Sequence, residues 1–268
     1  FADTAYANLN LLDITPIKKA EQAEKERVER ALRYQKALVG LATTDAPTLR
    51  DAMNRITETG AAILGVERAG IWFFSSDGTT LLCSDLYTRA GNLHESGQTI
   101  TGTEYPRYFA ALQDNRTIVA SDARTHEHTS EFASGYLEKA GISSMLNVPI
   151  RSGRTVVGVL CFEHTGPARS WDVEDSDFAA SVADFAAIVL EKARRRLAEK
   201  DLQKSEDRAR VIQFAVEHAS EGILWLNTAG NVVYANPAYC RMLGQARITG
   251  GASDRRISHR TDSGGVHM

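Results

Sequence analysis

Two apolar runs, residues 145–150 and 156–162, flank the polar stretch Arg151-Ser152-Gly153-Arg154. Both are rich in β-branched and apolar residues, and the Gly supplies the positive φ of a tight turn, so the pattern predicts a β-hairpin. Neither arm alternates cleanly between apolar and polar positions. Both faces are therefore expected to be covered, one by helices and the other by a loop-roofed cavity. Strands are also predicted at 68–74 and 80–87, joined by the Asp-Gly turn signal Ser75-Ser76-Asp77-Gly78, with a brief one at 117–120 and at most a short one at 98–100. Helical spacing over 49–64 puts Leu49, Ala52, Met53, Ile56, Gly60 and Ile63 on one face, with Asp45 as the expected N-cap ahead of Pro47. Helices are expected at 104–112, bearing Tyr105, Tyr108, Phe109 and Leu112, and at 131–139, stopping at Gly141. The fold class is α+β: a central antiparallel sheet, helices on one face, a loop and helix cap on the other.

Long helices flank this region. Thr15 and Pro16 form an N-cap and first helical position, and the sequence then stays helical to about Ala42. Ile14, Ile17, Glu21, Glu24, Val28, Ala31, Gln35, Leu38 and Ala42 trace an alternating three-and-four seam, apolar at six of nine positions. Such a thin seam suits either a paired signalling helix or a solvated connector. A second long helix opens near Ser170 and runs to about Ala219, with Phe178, Val182, Phe185, Ile188 and Val189 on its first face. Its stripe then drifts from Leu190, Ala193 and Leu197 to Leu202, Ala209, Ile212 and Val216, as in a paired helix that changes winding or a surface helix that follows the domain beneath it. Strand, turn, strand and short helix follow at 222–226, 227–231, 232–235 and 237–243. The Ser-, Gly-, Arg- and Asp-rich stretch 245–268 is expected to be disordered.

At 268 residues the chain has room for one substantial core plus extras. A net charge of −3 with well-mixed charges offers no field for nucleic acid. No apolar run approaches the ~20 residues of a membrane span and no signal peptide opens the chain, so a cytoplasmic location is expected. Cys83, Cys161 and Cys240 are odd in number, far apart and outside any CxxC pattern, which reads as reduced, buried thiols.

Several short motifs then occur in order: Tyr105-Pro106-x-Tyr108-Phe109-x-Ala111-Leu112, Asp122-Ala123-x-Thr125, Glu131-Phe132, Tyr136-Leu137, and Gly141-Ile142-Ser143-Ser144-Met145-Leu146-x-x-Pro149-Ile150. Together they make residues 44–191 resemble a bacterial GAF domain. The flanks resemble parts of PAS domains: 12–21 the strand and exit helix that end one, and 221–239 the start of the next. The resemblance implies a remnant of a PAS-like domain at 1–15, a connecting helix at 16–43, the GAF domain at 44–191, a signalling helix at 192–210, an incomplete PAS domain at 211–244 and a tail. It also implies a sensory part of a histidine kinase or diguanylate cyclase, a homodimer formed through the flanking helices, and an output domain elsewhere in the parent chain. No phosphoacceptor-His box, ATP lid or GGDEF-type loop occurs in this sequence. The NKFDE-type pattern of cyclic-nucleotide-binding GAF domains is absent, as is the Cys-His pair expected for covalent bilin attachment, and no cofactor is named by the sequence.

Candidate ligand-binding residues are Trp72 and Tyr87 on early strands, Tyr105, Tyr108 and Phe109 on the first cap helix, Asp122 in a polar loop, and Met145, Asn147, Cys161 and Glu163 on the central strands. Apolar walls with a few placed polar groups suit an unidentified small molecule. Ordinary core packing is the stronger reading of each aromatic, and a turn or helix cap the stronger reading of Asp122. Asn147 and Glu163 carry more weight, because an inward polar side chain on a central strand must find a partner. His126-Glu127-His128 lacks a third nearby metal ligand, Ser143-Ser144 lacks a nucleophile elbow, and Arg194-Arg195-Arg196 reads as a solvated helix face. Three readings follow: a ligand-binding sensor, a dimerising spacer that binds nothing, and a free-standing methionine sulfoxide reductase, which would need cysteines gathered at one pocket.

Overall fold

The computed structural model describes residues 15–43, 46–114 and 117–244. The expectations for 1–14 and 245–268 lie outside the described residues. The chain forms two compact units, Phe1–Arg194 and Arg195–Met268.

The first unit holds helices α1 (Thr15–Thr43), α2 (Leu49–Leu64), α3 (Pro106–Gln113) and the one-turn α4 (Glu138–Ala140), together with the start of α5 (Val173–His218). Its strands are β1 (Arg68–Phe74), β2 (Thr80–Thr88), β3 (Leu93–Glu95), β4 (Thr99–Thr101), β5 (Ile118–Ala120), β6 (Ile142–Ser152) and β7 (Thr155–Thr165). They form an antiparallel sheet in the order β3-β2-β1-β7-β6-β5, with β4 also paired to β2. The hairpin expected from the two apolar runs is β6–β7 at the middle of this sheet, turning at Gly153 with φ 60°. Both its faces are buried, which is why its arms show no two-residue alternation. Leu146, Val148, Leu160 and Phe162 join Met53 and Ile56 of α2 and Phe178 and Val182 of α5 in one cluster. Met145, Val159 and Cys161 join Tyr108 and Phe109 of α3 in the other.

Four sequence expectations need correction. The N-cap of α2 is Thr48, whose hydroxyl accepts the Asp51 N–H while the Asp51 carboxylate accepts the Thr48 N–H, a reciprocal cap; Asp45, the expected N-cap, lies outside the described residues. The predicted helix 131–139 is broken into a 3-10 turn (Ser130–Phe132), a π turn (Ala133–Leu137) and α4. Ser134 at ψ 87° and Gly135 at φ 143° carry the break, a backbone geometry that only Gly adopts freely at the second position. Strand β3 went unforeseen because it is held by backbone pairing to β2 and its Leu93 is exposed, so it carries no apolar signal. Tyr87 lies on the helix-covered side of the sheet, in the cluster of α2 and α5. Its parity is reversed by a register shift in β2: Cys83 pairs with Trp72, but Asp85 pairs with Ile71, leaving one extra residue between them. A one-residue bulge moves every following side chain to the opposite face.

Helix α1 contributes no fully buried residue. Tyr34, Ala37, Leu38 and Leu41 pack on the helix-side core, and the Tyr34 ring lies 4.6 Å from that of Phe178. Residues 15–29 are exposed throughout.

In the second unit, β8 (Leu224–Leu226) and β9 (Val232–Ala235) form a hairpin followed by α6 (Pro237–Met242), the strand, turn, strand, helix series expected from the sequence. Asn236 organises it. Its buried side chain accepts the N–H groups of Ile223 and Tyr239 and donates to the carbonyls of Val216 and Glu221. All its hydrogen-bonding capacity is used, and it caps α6 at the same time.

Gly158 marks the closest approach inside the main sheet, since a Cβ there would collide with the backbone carbonyl of Trp72 and the ring of Phe73. Gly158→Ala is expected to lower stability by about 2–3 kcal/mol, because neither backbone neighbour can yield, and urea unfolding of the two proteins measures it.

Candidate functional site

The cap begins with a helix that lacks its own N-terminal acceptor. Tyr105, at the N-cap of α3, makes no side-chain cap bond. Glu131 reaches over from the 3-10 turn instead, its carboxylate accepting the N–H of Tyr108 at 3.0 Å and of Arg107 at 3.2 Å. A carboxylate at a helix N-terminus also meets the positive end of the helix dipole. Aromatic rings complete the join: Tyr105 stacks on Phe132 at 4.1 Å, and Tyr108 meets Phe132 edge-on at 4.9 Å. The break at Gly135 then brings Tyr136 down to the sheet, where its hydroxyl donates to Glu163 Oε1 at 2.7 Å.

Beneath this cap lies one face of three adjacent strands. Register places Arg68 opposite Glu163, Glu163 opposite Met145, and Cys161 opposite Asn147. The Arg68 Nε stands 3.5 Å from Glu163 Oε2, and its guanidinium sits 5.4 Å from the Tyr136 ring centre. Neither Arg68 Nε nor Glu163 Oε2 has a hydrogen-bond partner, although both atoms are buried. Asn147 is fully buried, and both its Oδ1 and its Nδ2 lack a partner. Each such group costs on the order of 1–3 kcal/mol. Set against a domain stability of roughly 5–15 kcal/mol, that is a heavy structural load.

Burial pushes the Glu163 carboxyl above the ordinary carboxylate range, with Arg68 and the Tyr136 hydroxyl offsetting part of the rise. Burial likewise raises the Tyr108, Tyr136 and Cys161 groups, and takes the Cys83 thiol to about 12. The Tyr108 hydroxyl lies 3.6 Å from Cys161 Sγ. Both cysteines belong to the cap-side cluster, and thiols held protonated by burial are poor nucleophiles.

Eight of the ten sequence-predicted residues therefore belong to the cap-side interior: Trp72, Tyr105, Tyr108, Phe109, Met145, Asn147, Cys161 and Glu163. Tyr87 is on the other face, where its hydroxyl donates to Asn92. Asp122 is exposed and closes its own turn, accepting from the Arg124 N–H and the Thr125 hydroxyl. Arg68 and Tyr136 were missed. Arg68 was within reach, because it lies two and four residues before Gly70 and Trp72 on one strand and so shares their face. Tyr136 stands in the Tyr136-Leu137 motif, but its contact with Glu163 depends on the Gly135 break, which the sequence did not signal.

The sequence model of the GAF domain matches residues 48–190, the span of this sheet, its cap and its two packing helices. The chain belongs to the GAF domain family. A PAS domain model matches residues 210–265. Among solved structures, the GAF domain of a phosphoenolpyruvate-protein phosphotransferase from Coxiella burnetii is 16% identical, with a TM-score of 0.50 over 63% of this chain and 98% of that one. The corresponding Acinetobacter domain is 14% identical, with a TM-score of 0.49 over 62% and 95%. The blue-light absorbing form of the Thermosynechococcus elongatus PixJ GAF domain is 18% identical, with a TM-score of 0.47 over 58% and 91%. These identities speak to the fold alone. No curated protein matches the chain. GAF domains are sensory modules, and among the described residues no helix is long and apolar enough to cross a membrane.

The raised Glu163 carboxyl of this GAF domain gives a signed pH test. A carboxyl with a folded pKa above its unfolded value contributes stability below the unfolded pKa, near 4.5, and loses it as pH rises through the folded value. Glu163→Gln removes this titration. The stability difference between Glu163→Gln and the parent should move in favour of the variant as pH is raised from 4 to 8, as read by calorimetric melts across that range.

Proposed function

We propose that this chain is a sensory and regulatory module of a bacterial signal-transduction protein. The GAF domain takes a small molecule under its cap, and the flanking helices relay the occupied state to an output domain elsewhere in the parent chain, of histidine kinase or diguanylate cyclase type. The observation that carries the ligand-binding reading is the fully buried Asn147 side chain, whose Oδ1 and Nδ2 both lack a partner, beside the buried Arg68–Glu163 ion pair whose facing atoms make no hydrogen bond. A spacer that binds nothing gains from an apolar interior at these positions and has no use for such groups.

The relay is supported by the way α1 is fastened. Arg30 pairs with Asp172 and Glu174, and the Tyr34 hydroxyl donates to Asp175 Oδ1 at 2.6 Å. Those acids form the first turn of α5, where Asp172 and Asp175 each accept the other's N–H. Burial alone would raise the Asp172 carboxyl, but the Asp175 N–H and Arg30 outweigh it and hold it below the ordinary range. Asp175 also accepts from Arg169, whose own N–H donates to the Ser144 hydroxyl at the start of β6. A chain of polar contacts thus joins α1, the start of α5 and the central hairpin, and a ligand need shift such a packed pair by only about 1–3 kcal/mol to signal. The domain layout in this reading is a PAS-like remnant at 1–15, a connecting helix at 16–43, the GAF domain at 44–191, a signalling helix at 192–210 and an incomplete PAS domain at 211–244, working in the cytoplasm as a homodimer.

Residues 15–29 of α1, exposed throughout with Ile17 and Val28 among them, are the surface assigned to the second copy. Sedimentation velocity of the full chain should give a dimer that the double substitution Ile17→Asp and Val28→Asp converts to monomer. A monomer at high micromolar concentration defeats the paired-helix reading. Native mass spectrometry of the chain as purified from cells should show a non-covalent small-molecule adduct, and its loss on Asn147→Leu would place the adduct under the cap.

A further inference from the structure

The chemistry of the unpaired groups narrows the ligand class. Asn147 presents, in one plane, an acceptor oxygen and an N–H₂ donor, and both ends are free. The complement of a carboxamide is a group that offers a donor and an acceptor side by side: another carboxamide, a lactam, or the edge of a nitrogen heterocycle. Beside it, Arg68 Nε and Glu163 Oε2 form an ion pair at 3.5 Å in which neither atom makes a hydrogen bond, a buried donor and acceptor side by side. Their charges oppose one another, so a phosphate or carboxylate group entering here meets no net positive field, and would have to displace Glu163 from Arg68 to gain one. The surrounding side chains are flat and apolar: Trp72, Tyr108, Phe109 and Phe132 are all buried in the cap-side cluster. Aromatic neighbours favour a planar guest.

We infer that this GAF domain binds a small, uncharged, planar molecule through a carboxamide or lactam edge read by Asn147, with the Arg68–Glu163 pair as a second polar anchor; the inference rests on the ligand-binding reading above. No bond is made or broken.

The test is isothermal titration calorimetry on the full chain with nicotinamide, uracil and hypoxanthine as probes, indole as a planar control without the edge, and cyclic GMP as an anionic control. At least one of the three probes is expected to bind saturably, and Asn147→Leu to weaken it about tenfold or more, the loss of roughly one buried hydrogen-bonded pair. Asn147→Ser, which keeps a hydroxyl but not the paired edge, should weaken it as well and serves if the Leu variant does not fold. Preferential binding of indole or cyclic GMP, or probe binding indifferent to both substitutions, overturns the inference and leaves the ligand-binding reading standing. Binding by none of the compounds also overturns it. In that case, a mass-spectrometric adduct on the purified chain preserves the broader reading, whereas no adduct together with ordered water on Asn147 in a crystal removes both.

Discussion

The architecture depends on one constraint: the central hairpin β6–β7 is apolar on both sides, so neither face of the sheet can be left to water. Leu146, Val148, Leu160 and Phe162 require helices α2 and α5 on one side, while Met145, Val159 and Cys161 require α3 and the 130–140 segment on the other. At roughly 25 cal/mol per Å² of apolar surface, covering both faces is the main driving force available to this unit. The two covers are not equivalent. The helices present long continuous faces, whereas the cap is assembled from short pieces that need cross-links of their own.

Those cross-links explain several residues that otherwise look decorative. Glu131 supplies the N-terminal acceptor that α3 lacks, so that the helix and the 3-10 turn form only together. Tyr136 ties the far end of the same segment to the sheet through Glu163. A carboxyl buried there is costly, and its raised pKa measures that cost. The cap is thereby fastened at a polar point inside an apolar interior, which makes its closure sensitive to whatever else competes for Glu163, Arg68 and Asn147.

Much of this was legible in the sequence. The hairpin, the strands at 68–74 and 80–87 and the first part of α5 follow from apolar spacing, because their burial is decided within each element, whereas α1, with no buried residue, follows from its Thr15-Pro16 start and its helix-forming composition. The failures share a cause, which is that the deciding contact is made with a distant residue or by the backbone. Strand β3 has no apolar face because pairing with β2 holds it. The 131–139 helix breaks because Gly135 can take φ 143° and Tyr136 has Glu163 to reach, a partner 27 positions away. Tyr87 changes sides through a single extra residue in β2, a feature invisible to any count of alternating positions. Asn147 and Glu163 were found for the opposite reason: polar side chains in a run of apolar ones announce themselves locally.

The same sheet also supplies a control for interpreting those two residues. On its helix-covered face Asp85 is as deeply buried as Glu163, yet it is fully engaged. The Thr57 hydroxyl donates to it, the His94 ring meets it at 2.9 Å, and the other nitrogen of that ring lies 3.0 Å from Glu58. Asn236 in the second unit is likewise buried with every donor and acceptor used. Asp85 and Asn236 are thus satisfied where they hold the fold. Among the described residues, four of the six buried side-chain atoms without a hydrogen bond belong to Arg68, Asn147 and Glu163, on adjacent strands beneath the cap, and the other two are His164 Nδ1, which faces Glu67, and the Tyr234 hydroxyl. Clustering of that kind is what a recognition surface requires, and packing alone gives no reason for it.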